Sequence, residues 1–315
     1  MANLPHPDQP SALDRVKRFW AKAAEPEYRA YTTQTNWMGH VEVQRYINRC
    51  CSGDPERSWL DHFRDRYATG RRIRDVVNLG CGEGALEREL INRDFADAYV
   101  GYDVSAACIE RAAATVGREY PNARFVSADL NHVTLPREAF DVAFFSHALH
   151  HIERLEHLCE EARATLRPDG FLLVNEYIGP SRHQWTDRQL AVCNRLLDAL
   201  PAYLRVDISR LPEQIPKARI DRMTVAEWLR CDPSEGVRSA EIVGALEGSF
   251  EILERRDFGG TVLQKLLENI VGNFDPENPD HSAIVRVLIE VESLLIEHSV
   301  LDSDFTYIVA RPRML

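Results

Sequence analysis

The residues best suited to chemistry begin with Asn78-Leu-Gly80-Cys81-Gly82-Glu-Gly84, set between an apolar run and a helical pattern. Glycines at such a turn let the backbone bend tightly and let a ligand approach main-chain atoms without a Cβ clash. Gly80-x-Gly82-x-x-Ala85 satisfies the dinucleotide fingerprint with alanine in its last place, although a tight turn with no ligand has the same composition. Asp103 lies 23 residues beyond Gly80, at the end of the next apolar run. An ionised carboxylate only accepts hydrogen bonds, so it suits ribose hydroxyls, or it caps a helix. Asp129, in Ser127-Ala-Asp129-Leu130, is an acceptor suited to an exocyclic amino group, with Leu130 against the ring.

A second group follows the fourth apolar run, in Ser146-His147-Ala-Leu-His150-His151. His147 is the candidate general base, because histidine exchanges a proton near neutral pH; the plainer reading is that it lines a pocket. His150 and His151 read as packing and hydrogen-bonding residues. No carboxylate or cysteine stands at ligand spacing from His147, His150, His151 and His157, so no metal is expected. Beyond the fifth run, Glu176 is a second candidate base or orienting group. Arg182 suits an anionic substrate group and Trp185 an apolar wall, and each of the three also reads as a loop anchor.

The elements that must hold these residues have a regular rhythm. Five β-rich runs, Ile73 to Leu79, Tyr99 to Tyr102, Arg124 to Ser127, Asp141 to Phe145 and Phe171 to Val174, are separated by four helical stretches. Leu155, Leu158, Ala162 and Leu166 mark the amphipathic spacing of the fourth helix, and Pro168 and Gly170 stop it. Such alternation predicts a parallel sheet covered on both faces. Capping boxes at Thr186-x-x-Gln189 and Thr224-x-x-Glu227 predict a helical insert from about 186 to 247. Strands are expected at Phe250 to Phe258 and Phe305 to Arg311, bracketing helices over 261–272 and 281–299. The expected organisation is a helical cap over 1–70, an α/β core over 71–180, a helical insert over 181–248, and two closing strands with their own insert over 249–315.

Composition removes other classes. Among 315 residues, Lys plus Arg is 38 and Asp plus Glu 49, so the net charge is −11. A chain this acidic lacks the footprint that phosphate backbones require, and nucleic acid is not expected as partner. The seven cysteines form no C-x-x-C pair and read as reduced thiols. No apolar run approaches the ~20 residues of a membrane span, and no signal core opens the sequence. A cytoplasmic location without membrane contact is expected, and oligomeric state stays open.

The block from about 73 to 177 resembles the class I S-adenosylmethionine-dependent methyltransferases. The resemblance rests on VVNLGCGEG, the strand-end Asp103, the SADL segment, FDVAFFSHALHHI, LRPDG and FLLVNEY. LRPDG carries Asp169 where the family usually has glycine, and Asn78 stands where it often has an acid near the methionine ammonium. The resemblance implies a Rossmann-like, doubly wound, mostly parallel α/β sheet of seven strands, with one reversed strand near the edge. It also implies S-adenosyl-L-methionine as cofactor, held by Asn78, Gly80, Cys81, Gly82, Asp103, Asp129, Leu130 and Ser146. That cofactor has no phosphates, which suits the absence of a basic cradle. The implied activity is methyl transfer to a small molecule, with His147 and Glu176 catalytic and Arg182 and Trp185 binding the acceptor. The two bases favour an oxygen of a metabolite or sugar. A nitrogen or carbon acceptor, a non-catalytic partner subunit and a nicotinamide oxidoreductase stay open. The chain has Ser146-His147 and Asn175-Glu176 where magnesium-dependent members carry aspartates and an Asp-Asn pair, and it lacks the [DN]-P-P-[YF] motif of adenine and glutamine methylases.

Overall fold

A computed structural model describes residues 11–23, 25 and 35–313. The first β-rich segments form β1 (Asp75–Leu79), β2 (Ala98–Asp103), β3 (Ala123–Ser127), β4 (Phe140–Ser146) and β5 (Leu166–Tyr177). With β6 (Phe250–Asp257) and β7 (Phe305–Pro312) they make one seven-stranded sheet in the order β3-β2-β1-β4-β5-β7-β6. Neighbours from β3 to β5 are parallel; β7 runs against both β5 and β6 and is the reversed strand. The order turns back at β1 and β4. Ligands of open α/β sheets bind at such a switch point, beyond the carboxyl ends of the strands.

Successive strand residues point to opposite faces, and the core divides accordingly. Val76, Phe144 and Leu173 face one layer, which also holds Leu60 and Phe63 of α3 (Trp59–Tyr67) and Val43 of α2 (Val41–Ser52). Val77, Phe145 and Leu172 face the other, with Leu155 and Leu158 of α6 (Leu155–Thr165) and Leu246 of α9 (Ile242–Ser249). The remaining crossover helices are α4 (Ala85–Asn92) and α5 (Ala106–Ala112), the latter continued by a π-helical turn over Ala113–Gly117. Between β3 and β4 the chain crosses without a helix, so three of the four expected separating helices are present. Residues 128–139 instead start at the carboxyl edge, where Asp129 accepts from the Asn131 backbone N–H at 2.9 Å, and cross to the amino edge, where Glu138 and Ala139 N–H donate to the Ala164 and Thr165 carbonyls.

Both predicted capping boxes are made. Thr186 and Gln189 start α7 (Asp187–Ala199), and Thr224 and Glu227 start α8 (Val225–Cys231). The closing insert carries α10 (Leu263–Leu267) and α11 (Pro279–Glu297). The buried Glu292 of α11 accepts from the backbone N–H groups of Gly260, Val262 and Leu263, pinning the turn after β6. Of the N-terminal helices, α2 and α3 thus belong to the layer on one sheet face and α1 (Ala12–Ala23) packs beside α5; among the aromatic residues of this segment, Tyr28 and Tyr31 lie outside the described residues.

Candidate functional site

A cavity of about 420 Å³ opens at the carboxyl ends of β1, β2 and β4. Its floor is the glycine turn. The backbone N–H groups of Gly80 and Cys81 donate to the Tyr102 carbonyl at 2.8 and 2.9 Å, which lashes the turn to the end of β2. Gly80 has φ +94°, and a Cβ there would lie 2.3 Å from the Ala148 side chain. Gly82, at φ +52°, has open space around its missing Cβ. Asp103 stands beside the turn because its carboxylate accepts from Gly82 N–H at 2.9 Å and from Ser105 N–H at 2.8 Å. Burial raises the Asp103 pKa against those hydrogen bonds. Its remaining acceptor capacity faces the cavity, which Gly80, Gly82, Asp103, Asp129 and Leu130 all line.

Three of the residues expected at the cofactor do not line this cavity. Asn78 is buried beneath the turn and donates to Glu87 at 3.1 Å, and burial pushes that carboxyl up to about 7. Cys81 points away into the packing against Gly101, and burial drives its thiol pKa far up. Ser146 ends β4, paired in register with Asn175, outside the cavity lining.

The opposite wall carries His147, in the left-handed region at φ +54°, its N–H donating to the Asn175 carbonyl at 2.9 Å. His147 is exposed along the cavity lining, and desolvation by its surroundings lowers its pKa against the pull of Glu176, which favours the neutral imidazole. Glu176 is fully buried and lines nothing. Its carboxylate accepts from the N–H groups of Ala148, Leu149 and Tyr177 at 2.6–2.7 Å and bonds His150 Nδ1 at 2.5 Å. With its oxygens so engaged it clamps the β4 loop, and the expected role as base is replaced by a positioning one. Burial disfavours its charge, but His150 and these hydrogen bonds keep it ionised. Arg182 spends its guanidinium on the Pro233 and Glu235 carbonyls, and Trp185 is buried with Nε1 donating to Asp304 at 3.2 Å. Neither reaches the cavity, because the chain after β5 folds into the insert before it can return to the sheet edge.

Several lining residues carry no motif. Leu13, Val16 and Trp20 of α1 close one side, Asn131, His132 and Ile152 another, and Pro233, Ser234 and Val237 a third. Trp20 meets His151 edge-on, with ring centroids 5.1 Å apart. The amphipathic spacing of α1 was the one signal available for that side. His150 and His151 approach Glu235 of the insert, whereas His157 turns away to the Val133 carbonyl.

Comparison with known proteins agrees with this geometry. Residues 76–170 match the sequence model of a family described as a methyltransferase domain. An uncharacterized methyltransferase of Mycobacterium tuberculosis is 32% identical over 109 residues, covering 34% of this chain and 52% of that relative. The chain thus spans about half the length of the curated relative it matches. Two solved structures superpose over nearly the whole chain. Geranyl diphosphate C-methyltransferase from Streptomyces coelicolor has a TM-score of 0.51 at 14% identity, covering 98% of this chain and 100% of that one. The cyclase SpnF has a TM-score of 0.53 at 16% identity, covering 96% and 97%. That one fold carries both a methyl transfer and a cyclisation shows that reaction type must be argued from the site. Residues 76–170 are thus similar to a methyltransferase domain, and they lie in a Rossmann-like sheet of seven strands.

Proposed function

We propose that the chain transfers a methyl group from S-adenosylmethionine to a nucleophilic oxygen of a small metabolite. One observation carries this reading: a single cavity is bordered by Gly80, Gly82, Asp103, Asp129 and Leu130 and also by His147. The residues fit the donor. Gly82 leaves its Cβ space open, Asp103 keeps acceptor capacity for ribose hydroxyls, and Asp129 with Leu130 suits an adenine edge and face. When bound, the donor supplies a methyl group already activated by the sulfonium.

The protein's own part is positioning and dehydration. Holding a nucleophile in line, about 3–3.5 Å from the reacting carbon, accounts for much of such catalysis. Leu13, Val16, Trp20, Ile152 and Val237 form an apolar surround that excludes water and suits a compact acceptor. His147 takes the hydroxyl proton as the bond forms, and the Glu176 clamp on Ala148 and Leu149 holds the loop carrying it. The test is release of S-adenosylhomocysteine with a panel of hydroxylated metabolites. Turnover with at least one acceptor, cut about 10²–10⁴-fold by His147→Ala, is expected. Tight donor binding with no turnover on any acceptor would replace this reading with a non-catalytic module.

A further inference from the structure

Beside the cavity, three side chains from two separated stretches of sequence converge. His150 and His151 follow β4, and Glu235 comes from the loop after α8; one ligand atom from each lies within 4.8 Å of the others. His150 Nε2 is 3.7 Å from Glu235 Oε1, and His151 Nε2 is 3.9 Å from Oε2. Metal bonds of about 2.0–2.2 Å in a tetrahedron hold neighbouring ligands about 3.4 Å apart, so slight contraction of this group encloses an ion.

Each of the three is also held from outside. His150 Nδ1 bonds Glu176 at 2.5 Å, and His151 Nδ1 faces Ser234 Oγ at 3.2 Å. Glu235 Oε1 meets His183 Nε2 at 2.6 Å. Metal-binding imidazoles are oriented this way, by a carboxylate or other polar group on the second ring nitrogen. The charge balance points the same way. Glu176 and Asp232 are buried beside Glu235, and among the described residues no lysine or arginine forms an ion pair with any of them. Asp232 Oδ2 is buried without a hydrogen-bond partner. Buried carboxylates need compensating positive charge; besides the histidines only Arg182 lies near them, its guanidinium bonded to the Pro233 and Glu235 carbonyls rather than to a carboxylate.

We propose that His150, His151 and Glu235 bind one divalent first-row metal ion of the zinc class, with Glu176, Ser234 and His183 as the outer hydrogen-bonding partners. The sequence reading expects no metal because the carboxylate stands 84 residues beyond His151. His151 and Ser234 also line the cavity, so the ion sits beside the space assigned to the acceptor. There it lowers the pKa of a coordinating hydroxyl; that role, unlike metal binding itself, rests on the proposed methyl transfer.

The test is titration of chelator-stripped full-length protein, shown by circular dichroism to be folded, with Co²⁺ followed by visible absorption and with Zn²⁺ by competition. One equivalent per chain is expected. His151→Gln and Glu235→Gln weaken uptake at least tenfold, Ser234→Ala by about tenfold or more, and His157→Gln leaves it unchanged. If the Glu235 variant fails to fold, Ser234→Ala decides. Folded wild-type protein that takes up no stoichiometric metal, or variants that bind it as tightly as wild type, would overturn the proposal. Methyl transfer is not read, so its failure and the failure of metal uptake remain distinguishable.

Discussion

The two walls of the cavity are built in different ways. The β1–β2 wall is local: the glycine turn, Asp103 and Asp129 sit at successive strand ends, and two hydrogen bonds to Tyr102 with one to Asp103 join them. The β4–β5 wall is assembled from afar, as His147, His151, Ser234 and the buried Glu176 behind them draw on the core and on the insert. The difference teaches that a cofactor wall can be copied as a motif, whereas an acceptor wall depends on what the insert brings.

The largest effect should come from the assembled wall. Glu176→Ala strands His150 and three backbone N–H groups in a buried site, and removal of one partner of a buried charged pair costs about 3–5 kcal/mol. Urea unfolding measures it; a loss below ~1 kcal/mol would make Glu176 a spectator and erase the contrast between the walls. On the local wall, Gly80→Ala forces a Cβ against Ala148 in a left-handed backbone position. Strain of this kind costs of order 1–3 kcal/mol. Calorimetry should find donor affinity falling with it, and unchanged affinity would detach the turn from binding.

How far each wall is readable follows from the same contrast. The register between Gly80 and Asp103 is set by adjacent parallel strands, so sequence spacing carries it directly. The boxes at Thr186 and Thr224 are equally local and are made as written. Glu176 reads as a base because its type and place suit one, but only tertiary packing reveals three backbone donors converging on it. Arg182 and Trp185 follow β5 closely in sequence yet turn into the insert, and Glu235 meets His151 only through that insert. Nothing in the spacing of β3 and β4 announces that their crossover lacks a helix.

Smaller effects sharpen the comparison. Trp20→Ala removes the apolar edge resting on His151, and an increase of about tenfold in KM, or about 1.4 kcal/mol, is expected for the acceptor. An unchanged KM would remove α1 from the acceptor surround. Asp103 has a raised pKa, chiefly from burial, so its ionised form is present above that value and is lost as pH falls through it. Donor affinity should therefore weaken on acidification before the ordinary aspartate range near about 4 is reached. The same sign means that this carboxyl favours the folded free protein more in acid than above its pKa. An affinity flat across that window would show that the donor does not depend on the Asp103 charge.

The most direct measurement is calorimetric binding of S-adenosylhomocysteine to wild type and Asp103→Ala, each shown to be folded. Hydrogen bonds to a charged group contribute about 1.5–3 kcal/mol, so the substitution should weaken binding about 10–150-fold. Equal affinity in the two proteins would contradict the seating of the donor at the ends of β1 and β2.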